Sequence, residues 1–377
     1  MKAPPTPADL LTRVNRDLER SVLRARNGLR YVRGTHRPAL GATPRDVVWK
    51  RDKAQLWRYR GTAPLRCAQP LLIVTSLVSR SYILDLLPGS SSVEFLRAQG
   101  FDVYLLDWGV PNHLDAENTL ETYVDEYLPR AVGAVLRESG AEELTMVGYC
   151  LGGVLAALYA AGHEDERVRN LVLLATPVDF NAMGPMVAAL QEGRLGPDDI
   201  VDESGNVPAD VLYSGFFMMA PTTVVAQNAT LLEHLWNDEF VTGYQAVAQW
   251  TRDQVPFPGA AMRQLVEEFI RGNRLMDGTL RIGGRLIDLT RTNANVLNAM
   301  AEKDRVVPRA AAEPAIRLVG RPERREEMIL AGGHATFGTG RAAFKHTLPR
   351  LSEWIAAHSD ARPQEERIDG DQAAAVR

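Results

Sequence analysis

A cysteine flanked by glycines two residues to either side, Gly148-Tyr149-Cys150-Leu151-Gly152, carries the strongest chemical signal in the chain. It follows the apolar run Leu144 to Val147 and leads into Gly153 to Gly162, so it reads as strand, sharp turn and helix. A nucleophile on such a turn needs neighbours without side chains, because the strand and helix backbones nearly touch. Its sulfur faces a helix N-terminus, where orphan amides and the helix dipole favour negative charge. The Leu151 amide becomes one donor to an oxyanion. With two cysteines and 30 glycines among 377 residues, composition alone predicts about 0.01 such matches.

A nucleophile so placed requires an acid and then a histidine, each after a later strand. Asn295 to Ala301 reads as a strand followed by Asp304, with Glu302 as the fallback acid, and Glu327 to Ala331 as the next strand, followed by Gly332-Gly333-His334. The pattern predicts Cys150, Asp304 and His334 as a catalytic row. The loop Thr75-Ser76-Leu77-Val78-Ser79-Arg80 follows an early strand and is where a second oxyanion amide belongs, assigned to Val78 with Ser79 beside it. His36, His113, His163, His234, His346 and His358 lack that position and order. No Cys/His set has metal-ligand spacing, and Cys67 reads as a buried small residue.

The elements that must hold this row are legible as short apolar runs: Leu71 to Val78, Val103 to Trp108, Leu144 to Tyr149, Leu171 to Thr176, Val296 to Ala301 and Met328 to Ala331. Runs apolar on both faces suit buried parallel strands, and helix-length segments between them imply a doubly wound sheet. Asp46 to Tyr59 alternates large apolar and charged residues and predicts a hairpin at the sheet edge. The rhythm breaks between about Phe180 and Leu289, read as an inserted helical cap containing Val211 to Ala220, Trp236 and Trp250. The expected organisation is an N-terminal helical segment over 1–44, a catalytic domain over 45–358 with its cap at about 181–289, and a disordered polar tail over 359–377.

Composition narrows the function classes. The 43 basic and 47 acidic side chains nearly cancel, which gives no basic face for nucleic acid. Arg13, Arg16, Arg20, Arg24, Arg26, Arg30 and Arg33 are interrupted by Asp17 and Glu19 and read as a solvated helix face. No apolar stretch approaches the roughly 18 residues of a membrane span. The start lacks the apolar core of a secretory signal, and the two cysteines fit a reducing compartment, so a cytoplasmic location is expected.

From about Val47 to Ile355 the sequence resembles the poly(3-hydroxyalkanoate) synthases, in particular the short class III and class IV catalytic subunits. The resemblance rests on Pro70-Leu-Leu-Ile-Val, Ser76-Leu-Val with Tyr82-Ile-Leu-Asp-Leu, Val103-Tyr-Leu-Leu-Asp-Trp-Gly, Gly148-Tyr-Cys-Leu-Gly-Gly, Ala175-Thr-Pro-Val-Asp-Phe, Val296-Leu-Asn, Asp304 with Val306-Val-Pro, and Gly332-Gly-His. It implies an α/β-hydrolase fold and an acyltransferase that polymerises (R)-3-hydroxyacyl-CoA with release of CoA. Cys150 would carry the acyl thioester, His334 would take its proton, and Asp304 would orient the imidazole and help activate the 3-hydroxyl. No cofactor beyond the acyl-CoA substrate is implied; a growing polyester chain, a homodimer, a second synthase subunit and the surface of storage granules are.

The chain departs from that family at Ser79 and Ser81, where Asn and Pro are usual, at Arg305, commonly His, and at Ala335-Thr-Phe-Gly-Thr after His334. Two other readings stay open. One is a synthase-like thioester hydrolase or acyltransferase, which would accumulate soluble hydroxyacid rather than polyester. The other is a non-catalytic granule-binding module, in which Cys150 would not be labelled by an acyl analogue.

Overall fold

The computed structural model describes residues 6–33, 38–219 and 229–362. Eight strands form the central sheet: β1 (Arg45–Arg51), β2 (Ala54–Tyr59), β3 (Leu71–Val74), β4 (Val103–Asp107), β5 (Leu144–Tyr149), β6 (Val168–Leu174), β7 (Asn295–Ala301) and β8 (Arg325–Leu330). Their order is β1-β2-β4-β3-β5-β6-β7-β8, with β1 and β2 antiparallel and every pair from β4 to β8 parallel. The hairpin is at the edge, and each apolar run supplies a strand.

Side-chain alternation explains why the runs are apolar throughout. Leu72, Val74, Tyr104, Leu106, Met146, Leu171 and Leu173 face one core, whereas Leu71, Ile73, Val103, Leu105, Val147, Tyr149, Val172 and Leu174 face another. With both faces covered, both parities are mostly apolar, and the buried exceptions are bonded internally: Asn170 donates to Thr145 Oγ1 at 2.9 Å and Asn298 to Ala312 O at 3.0 Å. The first core is closed by α3 (Leu128–Ser139) and α4 (Leu151–Gly162), and the second by α2 (Ser92–Ala98) and α7 (Leu348–Ala357). Ser91 starts α2 by accepting a hydrogen bond from the Glu94 amide at 3.1 Å, and Gly140 ends α3 in the left-handed region.

The segment between β6 and β7 contains α5 (Ala209–Met219), α6 (Asp238–Arg252) and two small two-stranded sheets. Leu212 is buried and Phe216 packs on the core, but Phe217 and Met218 are exposed. The helix α1 (Pro7–Arg33) lies against this segment. Arg20 stacks 4.3 Å over the Trp236 ring, Asn27 donates to the Leu235 carbonyl at 2.7 Å, and Arg26 pairs with Asp238. Part of the arginine-rich face is therefore a docking face rather than a solvated one, while Val14, Leu18, Val22, Leu29 and Val32 point outward.

The polar tail departs from the expected disorder in its first four residues. Asp360 accepts from Arg169 at 3.0 Å, its amide donates to Gln69, and Ala361 bridges Cys67. These partners, Arg169 in β6 and Cys67 and Gln69 just before β3, lie far from the tail in sequence, so tail composition carried no sign of them. Residues 363–377 and His36 lie outside the described residues.

Candidate active site

Cys150 sits between β5 and α4 with φ 55° and ψ −124°. For a non-glycine residue such backbone costs on the order of 1–3 kcal/mol and must be held by its surroundings. The Cys150 amide donates to Leu174 O at 2.9 Å, and its carbonyl accepts from Gly153 N at 2.9 Å. A Cβ on Gly148 would lie 2.4 Å from Gly153 Cα, and one on Gly152 would lie 2.2 Å from Val74 O. These two close approaches account for the glycine spacing. Leu151 opens α4 and is buried, so the turn brings the sulfur to the helix N-terminus.

The loops after β7 and β8 are laced together at the same edge of the sheet. Glu302 N donates to Leu330 O at 2.9 Å and Lys303 N to Gly332 O at 2.8 Å. Across this seam His334 Nδ1 lies 2.8 Å from Asp304 Oδ2. The other carboxylate oxygen accepts from the Val306 and Val307 amides at 2.9 and 2.8 Å, which fixes the carboxylate from behind. Asp304 is buried, whereas the fallback acid Glu302 is exposed, so the structure pairs Asp304 with the histidine.

The His334 side chain is only 14% exposed. Burial alone would favour its neutral form, but the Asp304 charge, the Cys150 sulfur and its hydrogen bonds to both outweigh that and raise its pKa to about 10. Cys150, His334 and Asp304, separated by up to 184 positions in sequence, are thus brought together, with His334 bonded to Asp304 and under the influence of the Cys150 sulfur. The Asp304 carboxylate holds the ring with Nδ1 toward it and favours the protonated imidazole.

Tyr149 is a residue the sequence reading missed. Its hydroxyl donates to His334 O at 3.0 Å, and its ring stacks on the imidazole with centroids 5.2 Å apart. A buried aromatic hydroxyl next to the nucleophile is the signal that could have found it, since such a group needs a partner. Tyr149→Phe leaves the His334 carbonyl without that donor. We expect a loss of about 1–3 kcal/mol in unfolding free energy, read by urea denaturation; no change would mean that water or another donor serves the carbonyl.

The loop after β3 begins against the elbow, since Val74 O and Thr75 O are the atoms nearest to Gly152. Val78 is half-buried on the core, and Ser79 pairs with Gln254. Ser81, where proline is usual, donates its hydroxyl to Asp107 at the end of β4. After His334, Thr336 Oγ1 donates to Gly333 O at 2.6 Å and Phe337 is buried, so the altered flank forms a short, self-bonded turn. Of the remaining histidines, His163 pairs with Asp125 and His358 stacks on Trp354, away from the row. Among the described residues no helix is long and apolar enough to cross a membrane.

Comparison with known proteins bears on the family and the fold. Residues 84–340 match the family model described as "alpha/beta hydrolase fold", and residues 15–96 match "Poly-beta-hydroxybutyrate polymerase (PhaC) N-terminus". Curated proteins called "Poly(3-hydroxyalkanoate) polymerase subunit PhaC" are similar over most of the chain. The one from Allochromatium vinosum is 32% identical over 84% of this chain and 89% of its own length. The one from Synechocystis sp. is 34% identical over 76% and 78%, and that from Haloferax mediterranei is 34% identical over 87% and 66%, so this chain spans about two thirds of that longer relative. Among solved structures, a soluble variant of monoglyceride lipase from Saccharomyces cerevisiae aligns at TM-score 0.51 with 12% identity, covering 86% of this chain and 97% of that one. That likeness bears on the fold only. With an eight-stranded hydrolase-type sheet and relatives above 30% identity along most of their lengths, the chain belongs to the poly(3-hydroxyalkanoate) polymerase family.

Proposed function

We propose that this protein polymerises (R)-3-hydroxyacyl groups from their CoA thioesters, with Cys150 as nucleophile. The observation that carries the reading is the bonded His334 and Asp304 pair brought to Cys150 at a strained elbow, in a chain of this family. The sulfur attacks the thioester carbonyl, and the tetrahedral oxyanion is met by the Leu151 and Val78 amides. Collapse breaks the bond to CoA, whose thiolate takes the proton from His334. The neutral imidazole then accepts the proton of a 3-hydroxyl that attacks the Cys150 thioester, forming an ester bond and returning the sulfur to its starting state.

Asp304 orients the ring and stabilises the imidazolium through the cycle. A cysteine suits repeated transfer because its thioester is close in energy to the incoming acyl-CoA, whereas a serine ester would be a sink. No cofactor is needed, since the substrate arrives activated. The name "subunit" carried by the relatives supports work alongside a second synthase subunit, and we extend the proposal to a homodimer in the cytoplasm at the surface of the polyester it makes.

The test is the fate of the acyl group when the purified protein, with and without a second subunit, meets (R)-3-hydroxybutyryl-CoA. Insoluble polyester with stoichiometric CoA is the expected product. Free hydroxyacid would instead assign the same row to hydrolysis, and no release would leave a binding module.

A further inference from the structure

The loop assigned the second oxyanion amide is held from outside the sheet, by one short stretch of the inserted segment. Residues 79–82 meet residues 250–254 at four points. Trp250 Nε1 donates to Arg80 O at 2.8 Å, and Tyr82 OH donates to Asp253 Oδ2 at 3.1 Å. Arg80 Nε stands 3.4 Å from Asp253 Oδ1, and Ser79 and Gln254 form an isolated antiparallel bridge. The Asp253 carboxylate thus serves both Arg80 and Tyr82, and Gln254, one partner of the bridge, is buried.

The stretch itself is anchored. Ala246 is fully buried, and Val247 and Trp250 pack on the same core that Tyr149 occupies. At its other side the loop is tied to β4 through Ser81 and Asp107. Its path is therefore set between the sheet and α6, and Val78 lies one residue before the first of these contacts.

We propose that Asp253 and Trp250 are positioning residues for the oxyanion hole: the C-terminal end of α6 holds the Ser79–Tyr82 loop so that the Val78 amide meets the developing oxyanion. This rests on the role proposed above for Val78. An oxyanion donor works only within about 2.7–3.1 Å of the charge it stabilises, so a small shift of the loop is costly in acyl transfer. Assembly of the hole is in this way coupled to seating of the inserted segment. A half-exposed ion pair such as Arg80 with Asp253 adds little stability alone, so the effect belongs to geometry.

Two reactions at the same sulfur separate this role from a structural one. Acylation of Cys150 by (R)-3-hydroxybutyryl-CoA passes through an oxyanion, whereas alkylation by iodoacetamide is a displacement at a saturated carbon and does not. In Asp253→Asn and Trp250→Phe, single-turnover CoA release should fall about 10- to 100-fold, less than the 10²–10³ of deleting a donor outright. Alkylation should stay within about twofold of the parent, and so should KM. Asp238→Asn, at the far end of α6, should leave both reactions unchanged.

Unchanged acylation in a folded Asp253→Asn variant would overturn the proposal, as would a matching fall in both reactions or an equal loss in Asp238→Asn. A parent protein that is alkylated but never acylated would overturn the proposed function instead.

Discussion

Replacing Cys150 with alanine should abolish CoA release from (R)-3-hydroxybutyryl-CoA, by on the order of 10⁴-fold or more, with folding intact. The residue is half-buried and spends its side chain on the site rather than the core. The alanine variant should also relieve none of the backbone strain, because φ 55° is as unfavourable for alanine as for cysteine. Cys150→Ser is the sharper comparison. It keeps a nucleophilic oxygen at the same turn, but any acyl-serine ester lies below the thioester in energy and resists handing its acyl group on. We expect under about 1% of parental turnover and an acyl-enzyme that persists and is seen as an added mass in the intact protein. Parental turnover in either variant would remove Cys150 from the mechanism.

Asp304→Asn should lower kcat on the order of 10²–10⁴-fold with little change in KM. Asparagine still fits between the Val306 and Val307 amides and His334, but it supplies no charge. Burial then acts on the ring with only Cys150 opposing it, and the imidazole reverts toward neutrality.

The sign of the pH effect follows from the raised folded-state pKa. A histidine raised from about 6.5 to about 10 contributes stability that is fully present below 6.5 and is lost as pH rises through about 10. The stability gap between parent and Asp304→Asn should therefore be widest near pH 6 and close steadily toward pH 10. Urea denaturation across that range measures it. A gap that widens with pH would mean that the buried ring is neutral in the parent.

Much of this site could be read before any coordinates. The glycines around Cys150 follow from backbone contact within a few residues, and the order of strand ends places Asp304 and His334 after it, because a parallel sheet collects its strand ends at one edge. The apolar runs located the strands for the same local reason: a strand covered on both faces is mostly apolar at both parities.

Long-range pairing was not readable. Glu302 and Asp304 are both acids near the end of β7, and only the seam between Glu302 N and Leu330 O, with its neighbour at Gly332, decides which one is buried against His334. Tyr149 reaches a carbonyl 185 positions away, and residues 250–254 reach a loop about 170 positions earlier. Inserted segments carry no strand order to fix what they face, and the outward turn of Phe217 and Met218 is one consequence.

By itself the sequence determined the sharp elbow at Cys150, the order of the strand ends that carry Asp304 and His334, and the covered parallel sheet, since each depends on contacts between near neighbours or on a repeating period. Only the tertiary structure decided which acid meets the imidazole, what holds the histidine loop and what grips the oxyanion loop, because those contacts join irregular segments whose side-chain directions depend on the rest of the folded chain.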